Sequence, residues 1–227
     1  MSTPNFDRIA PLYRWAEYLT LGPLLERARN HFLPKLIHSR QALILGDGDG
    51  RFTARLLATN PTIQVQAVDT SAAMLKLLRR NATLATLTAD SRLRTTHANA
   101  LEIQSAGETD LIVTHFFLDC LTKTELDALI PRHARPGTLW LLSDFRIPPG
   151  PLRLPANLYI RALYLAFRLL TGLRVTRLPD YATPLRRAGF IPIAVHYSLF
   201  GLLTSELWQL PPKSVLASTT PPPPPPS

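Results

Sequence analysis

The segment Ala42-Leu43-Ile44-Leu45-Gly46-Asp47-Gly48-Asp49-Gly50 constrains this chain more than any other. Four consecutive apolar residues suit a buried strand, while three glycines at alternate positions continue neither a strand nor a helix. Phe52, Leu56 and Leu57 then recur at helical spacing until Asn60-Pro61 stops them. The order is therefore strand, glycine turn, helix. Glycines let the chain turn sharply and let a ligand approach the backbone, and the helix that follows presents unpaired N–H groups.

The pattern repeats. Strands are expected at Ile63–Val68, Thr95–Ala98, Asp110–Thr114 and Thr138–Ser143. A helix is expected over Ala72–Arg80 with Ser71 as its cap, and another over Lys123–Ile130 behind the capping box Thr122-Lys123-Thr124-Glu125. Alternating strands and helices imply an α/β fold, a mostly parallel, doubly wound sheet covered on both faces. Phe6–Leu33 reads as helical with a break at Gly22-Pro23. The alternation pauses between Arg146 and Arg187, then resumes with a helix at Thr183–Ala188 and a strand at Phe190–Tyr197, with Ser198–Leu210 as a hairpin partner. This divides the chain into a helical cap (1–40), a ligand-binding core (41–145), an insert (146–187), completing strands (188–210) and a proline-rich tail (211–227) with polyproline II character.

Composition narrows the setting. A chain of 227 residues, 46% hydrophobic, fits one domain with a sizeable core. The single cysteine, Cys120, rules out a disulfide framework or a cysteine-rich zinc site, and no signal peptide or membrane span is evident. A reducing, cytoplasmic compartment is expected.

The spacing of the glycines limits the ligand. A dinucleotide fold needs GxGxxG, with the pyrophosphate on the helix N-terminus. Arg51 stands where the third glycine belongs, and Asp47 and Asp49 repel a pyrophosphate, so the loop suits a cationic or zwitterionic ligand. Asp69 ends the second strand, 23 residues after Gly46, about where a carboxylate reaches both ribose hydroxyls of a nucleoside. Such charge-assisted bonds are worth roughly 1.5–3 kcal/mol each.

Leu43 to Gly50, followed by Val68-Asp69-Thr70-Ser71 and Met74-Leu75, resembles the class I S-adenosylmethionine-dependent methyltransferases over roughly Ala42 to Tyr197. The resemblance implies a Rossmann-like sheet of seven strands with a C-terminal antiparallel hairpin. It implies that Gly46, Asp47, Gly48 and Gly50 back the methionine part of S-adenosylmethionine and that Asp69 holds its ribose, with Thr70 and Met74 beside it. Asn99-Ala100 stands where the family places an acidic and a small residue near the adenine, a departure in which an amide meets the adenine amino group. Phe6 to Tyr13 is similar to the N-terminal helix of quinone-biosynthesis-like, small-molecule members, where it closes over the cofactor and adds Tyr13 to the site. His115, Phe116 and Phe117 fall where the family lines the methyl-transfer site.

Methyl transfer asks little of side chains beyond alignment and exclusion of water. A base is needed only where the acceptor must lose a proton. His115 is the first candidate, ahead of His196 and Tyr13, and a buried core histidine is the competing reading. Asp144 is a candidate for binding substrate. The Asp-Asn pair of metal-dependent catechol-type members is missing, so no metal is expected.

The formal charge of +9 is unevenly spread. Residues 1–145 carry 16 basic and 14 acidic groups, and residues 146–227 carry 9 and 2. Leu158–Leu170 is apolar at 11 of 13 positions, with Arg161 and Arg168 on one helix face. Such a helix needs a cover: the domain's own core, a lipophilic or anionic acceptor, or a membrane surface or partner subunit met through residues 158–174. The insert lacks the basic and aromatic groove pattern of single-strand binders, which disfavours nucleic acid. Two other functions fit the loop less well: a scaffold of the same fold that binds cofactor without transfer, and a nicotinamide-dependent oxidoreductase.

Overall fold

The computed structural model describes residues 21–104, 108–171 and 175–212. Its strands are β1 (Gln41–Leu45), β2 (Gln64–Asp69), β3 (Leu93–His97), β4 (Leu111–His115), β5 (Leu139–Phe145), β6 (Ile191–Ser198) and β7 (Leu203–Gln209). They form one sheet in the order β3-β2-β1-β4-β5-β7-β6. The first five run parallel, and β7 lies antiparallel to both β5 and β6. The helices are α1 (Gly22–Asn30), α2 (Arg51–Thr59), α3 (Ala72–Ala85), α4 (Ala89–Arg92), α5 (Lys123–Arg132), α6 (Arg153–Thr171) and α7 (Ala182–Arg187). The expected α/β sheet with its antiparallel C-terminal hairpin is what the chain forms.

The central strands are apolar at successive positions because both faces are covered. On one face Ala42, Ile44, Leu111 and Val113 meet Phe52, Leu56 and Leu57 of α2 and Leu78 of α3. On the other, Leu43, Leu45, Ile112 and Trp140 meet Leu126, Leu129 and Ile130 of α5 and Leu185 of α7. Trp140 is fully buried and donates from Nε1 to Thr114 Oγ1 at 2.9 Å, so its polar atom is satisfied.

The caps act as the sequence suggests. Ser71 Oγ accepts from Met74 N at 3.1 Å. Thr122 and Glu125 exchange bonds in a complete capping box. α3 runs five residues beyond Arg80, because nothing from Asn81 to Ala85 breaks a helix and Ala82 is buried in the core.

Three features go beyond the expected outline. Gly22-Pro23 starts α1, the segment expected after the break, since a proline in the first turn lacks only an N–H that would be unpaired anyway. Within the expected helical cap, residues 21–40 pack on the core: Leu25 and Ala28 pack against Leu203, and Phe32, Leu33 and Leu36 join the main core. The Ala28 carbonyl accepts from the hydroxyls of Ser143 (3.2 Å) and Ser205 (2.7 Å). The segment Phe6–Leu19, with Tyr13, and the proline run of the tail lie outside the described residues. The third feature is α4. Arg92 there is buried and donates to the carbonyls of Asn60 (2.9 Å) and Leu57 (2.8 Å), closing the C-terminal end of α2.

His133, after α5, is buried with its ring 6.5 Å from that of Trp140. Neither ring nitrogen has a partner among the described residues. Burial first, then the charges of Arg132 and Arg135, push its pKa from 6.5 down to about 4. The unfolded chain therefore binds a proton that the folded chain refuses, and this part of the stability is lost as pH falls from 6.5 towards 4. In His133→Leu, the loss of thermal stability between pH 7 and pH 5 should be shallower than in the parent. Parallel melting curves would show His133 to be no acid-sensitive group.

Candidate ligand site at the glycine loop

The strand order reverses at β1: the chain winds from β1 to β2 and β3 on one side, and to β4 and β5 on the other. The carboxyl ends of strands at such a switch point leave a crevice where ligands bind. The glycine loop opens into it. Gly46 N donates to Val68 O at 3.0 Å, tying the loop to β2. Gly46, Gly48 and Gly50 have φ of 69°, 59° and 76°, a region other residues avoid at a cost of roughly 1–2 kcal/mol.

The three glycines serve different ends. A Cβ on Gly50 would lie 2.7 Å from Leu78 Cα, so this glycine lets α2 and α3 touch. A Cβ on Gly46 would lie 2.4 Å from Phe117 Cδ2, so Gly46 makes room for that ring. A Cβ on Gly48 would meet no atom within 4 Å. Gly48 alone presents bare backbone to open space.

The loop's carboxylates turn inward. Asp47 Oδ2 accepts from Thr53 N (2.9 Å) and Thr53 Oγ1 (2.6 Å), which caps the first turn of α2. Burial raises its pKa to about 6, although the Thr53 bonds pull the other way. Asp49 Oδ1 accepts from Arg51 Nε at 3.1 Å, and Arg51 also faces Glu26 of α1 at 3.8 Å. The acidity expected to attract a cationic ligand is thus committed to the loop and its helices.

Asp69 ends β2 beside the loop, and its Oδ1 accepts from Ser71 N at 2.8 Å. Thr70 is exposed, with its carbonyl 3.0 Å from His97 Nε2. Met74 is buried in the first turn of α3. Asn99 follows β3, and its Oδ1 accepts from Leu101 N at 3.0 Å. With one backbone N–H already on its oxygen, Asn99 also has its amide NH2 to offer a neighbour. Ala100 is buried.

On the β4 side, His115 packs on Phe52 with ring centroids 4.5 Å apart. It is 3% exposed, and neither ring nitrogen has a partner among the described residues. Burial, then the charge of Arg29, holds its pKa well below the usual range. A neutral imidazole buried beneath α2 is a weak proton acceptor. Phe116 takes a left-handed φ of 51°, with its ring against Phe145 and 5.1 Å below the Arg29 guanidinium. His196 lies on β6 and stacks on His31 at 3.6 Å, four strands from β1.

Asp119 joins Asp144 in a feature that local sequence does not reveal. Asp119 follows β4, while Asp144 closes β5, and the two carboxyls form a buried, hydrogen-bonded pair. Asp144 Oδ2 accepts from Asp119 N at 3.2 Å, and Tyr164 of α6 covers the pair, donating to Asp119 O at 3.1 Å. Both carboxyls are pushed upward by burial, and Asp144 further by Asp119. Two adjacent buried carboxyls cannot both ionise easily, so the pair holds a proton. The signal was present: β4 and β5 are parallel with His115 opposite Ser143, so residues just past the two ends must meet. Among the described residues no cluster of metal-ligating side chains exists, and no helix is long and apolar enough to cross a membrane.

Residues 42–136 match the model of a family described as "Methyltransferase domain". That stretch, less than half of the chain, is similar to a methyltransferase domain. No curated protein matches the sequence. Among solved structures it resembles an O-methyltransferase family protein from Burkholderia thailandensis (18% identity, 90% of this chain and 60% of that one, TM-score 0.66). It also resembles mitomycin 7-O-methyltransferase (16% identity, 82% and 53%, TM-score 0.64). A third is the O-methyltransferase of neocarzinostatin biosynthesis, solved with S-adenosylmethionine and 2-hydroxy-5-methyl naphthoic acid (14% identity, 89% and 56%, TM-score 0.61). These likenesses are of fold, and the chain spans less than two thirds of the length of each of them.

The division among the glycines is testable. Gly50→Ala should lower stability by about 2 kcal/mol or more, since its methyl group meets backbone as well as a left-handed φ. Gly48→Ala should cost only about 1 kcal/mol. Equal losses in urea unfolding would contradict the assignment of Gly50 to packing and Gly48 to the open crevice.

Proposed function

We propose that this chain binds S-adenosylmethionine in the crevice between β1, β2 and β4 and transfers its methyl group to a small-molecule acceptor. The observation that carries the reading is the bare backbone at Gly48 beside the Asp69 carboxylate on the adjoining strand. The first accommodates a bulky zwitterion pressed against the chain, and the second suits a pair of ribose hydroxyls. Asn99 and Ala100, one strand further along, are the proposed neighbours of the base. Residues 41–145 would thus hold the cofactor, and 146–187 would meet the acceptor.

Once bound, S-adenosylmethionine supplies the activated methyl group on its sulfonium. The protein's part is to bring the acceptor into line and keep water out. Phe117, packed on Gly46, and Phe116 make the wall between the loop and β5 apolar. Where an acceptor must give up a proton, the Asp119–Asp144 pair suits the task better than His115. It sits at the ends of the strands beside the crevice, and burial raises its affinity for protons, whereas it lowers that of His115. The neighbour that holds a naphthoic acid supports a small aromatic or lipophilic acceptor. A cytoplasmic location belongs to the same reading, with Cys120 as an unpaired thiol.

Calorimetric titration with S-adenosylhomocysteine tests the first step. Binding is expected, and Asp69→Ala should weaken it at least tenfold, about 1.4 kcal/mol, with an unchanged circular dichroism spectrum. Absence of binding at millimolar ligand would overturn the reading, and stabilisation by NAD alone in a thermal-shift comparison would favour an oxidoreductase. Binding without turnover across a broad panel of acceptors would favour a scaffold.

A further inference from the structure

The positive charge of the C-terminal third gathers along one groove. Two adjoining cavities, of about 370 and 260 Å³, share Ile147 and Leu178 in their walls. Arg146 and Arg186 border the larger and Arg161 and Arg177 the smaller. Among the described residues none of these four guanidinium groups makes an ion pair or a hydrogen bond. Unpaired arginines are ordinary when scattered over a surface, but four facing one concavity are not.

Two of them are held by aromatic rings. The Arg146 guanidinium lies 4.1 Å from the centre of the Tyr197 ring, and that of Arg186 lies 5.5 Å from the Trp208 ring. Stacking uses the flat face of a guanidinium and leaves its edge N–H donors turned outward, the geometry that takes a carboxylate or phosphate through two parallel bonds. Both rings are therefore platforms that hold a cation in place.

Two carboxylates share the larger cavity, and both are occupied. Asp180 accepts from Thr183 N (3.1 Å) and Thr183 Oγ1 (2.6 Å), at the start of α7. Glu206 accepts from Tyr181 Oη (2.9 Å), Thr204 Oγ1 (3.0 Å) and Trp208 Nε1 (2.8 Å). These donors are neutral, and neither carboxylate forms a direct ion pair with the arginines, although the charge of Arg186 is felt at Asp180. The balance along the groove stays positive, with Ile147, Leu178 and Val195 supplying apolar wall between the charges.

We propose that this groove binds a soluble amphipathic anion, a small molecule with an apolar body and a carboxylate or phosphate group seated between Arg146 and Arg186. The site is distinct from the crevice at Gly48. From β1 to β7 is three strand spacings, about 14 Å across the sheet. The proposal needs no methyl transfer and stands or falls apart from it.

The test uses the full chain without added cofactor. Octyl phosphate, octanoate, octanol and inorganic phosphate are titrated by calorimetry below the micelle concentration, with tryptophan emission as a second readout because Trp208 lies under Arg186. Octyl phosphate and octanoate should bind at least tenfold more tightly than octanol, and octyl phosphate more tightly than inorganic phosphate. Raising salt should weaken the two anions. Arg146→Gln and Arg186→Gln should each weaken octyl phosphate at least tenfold, with Arg177→Gln as the variant to use should either fail to fold. Equal affinity for octanol and octyl phosphate, or unchanged binding in the double variant, would overturn the proposal. So would sedimentation with phosphatidylglycerol vesicles, lost in the double variant, in a protein that ignores octyl phosphate; the groove would then face a membrane surface.

Discussion

Leu78 occupies the space where a side chain at residue 50 would be. That contact leaves no room for adjustment: α2 rests on α3 through a glycine backbone, and both helices lie on the face of the sheet made by β1 and β2. Shift α3 outward by one methyl group and the loop that starts α2 moves with it. The open backbone at Gly48 and the carboxylate of Asp69 would then no longer keep their separation. Asp47 and Arg51 reinforce the same joint, Asp47 by capping α2 and Arg51 by reaching across to Glu26. The polar residues of the loop act mostly as fasteners, which frees the least polar member to meet a ligand.

The carboxyl ends of β4 and β5 follow another logic. Here the chain buries groups it could have left in water: His115 without partners among the described residues, a strained Phe116, and two carboxyls against each other under Tyr164. Each lowers stability, by roughly 1–3 kcal/mol for a strained backbone residue and by similar amounts for an unsatisfied buried group. Burdens of this kind gather where a structure needs reactivity more than strength.

Much of this was readable beforehand. The turn at Gly46–Gly50, the caps at Ser71 and Thr122 and the closing hairpin depend on local chemistry, since a glycine run or a capping box acts over four or five residues. What escaped depends on contacts between distant segments. Arg92 reads as a surface charge until α2 brings its last carbonyls alongside. Asp119 and Asp144 are 25 positions apart and meet only because their strands are parallel neighbours. The bias of charge towards the C-terminal third was plain, but not its concentration in one groove, which needs β6, β7 and the segment before α7 together. The separate duties of the three glycines were hidden for the same reason, since spacing alone gives no account of what a missing side chain would have touched.

The carbonyl of Ala28 has a consequence for how the molecule moves. It accepts from Ser143 on β5 and Ser205 on β7, in the last turn of α1, where it also takes the N–H of His31. Two pins on one oxygen prevent α1 from rolling about its own axis, and they join it to the two strands where the sheet changes direction. α1, β5 and β7 are thereby a single mechanical body. A displacement of β7 from the groove side is carried through the sheet to α1 on the opposite face, and from there to Glu26 and the start of the glycine loop.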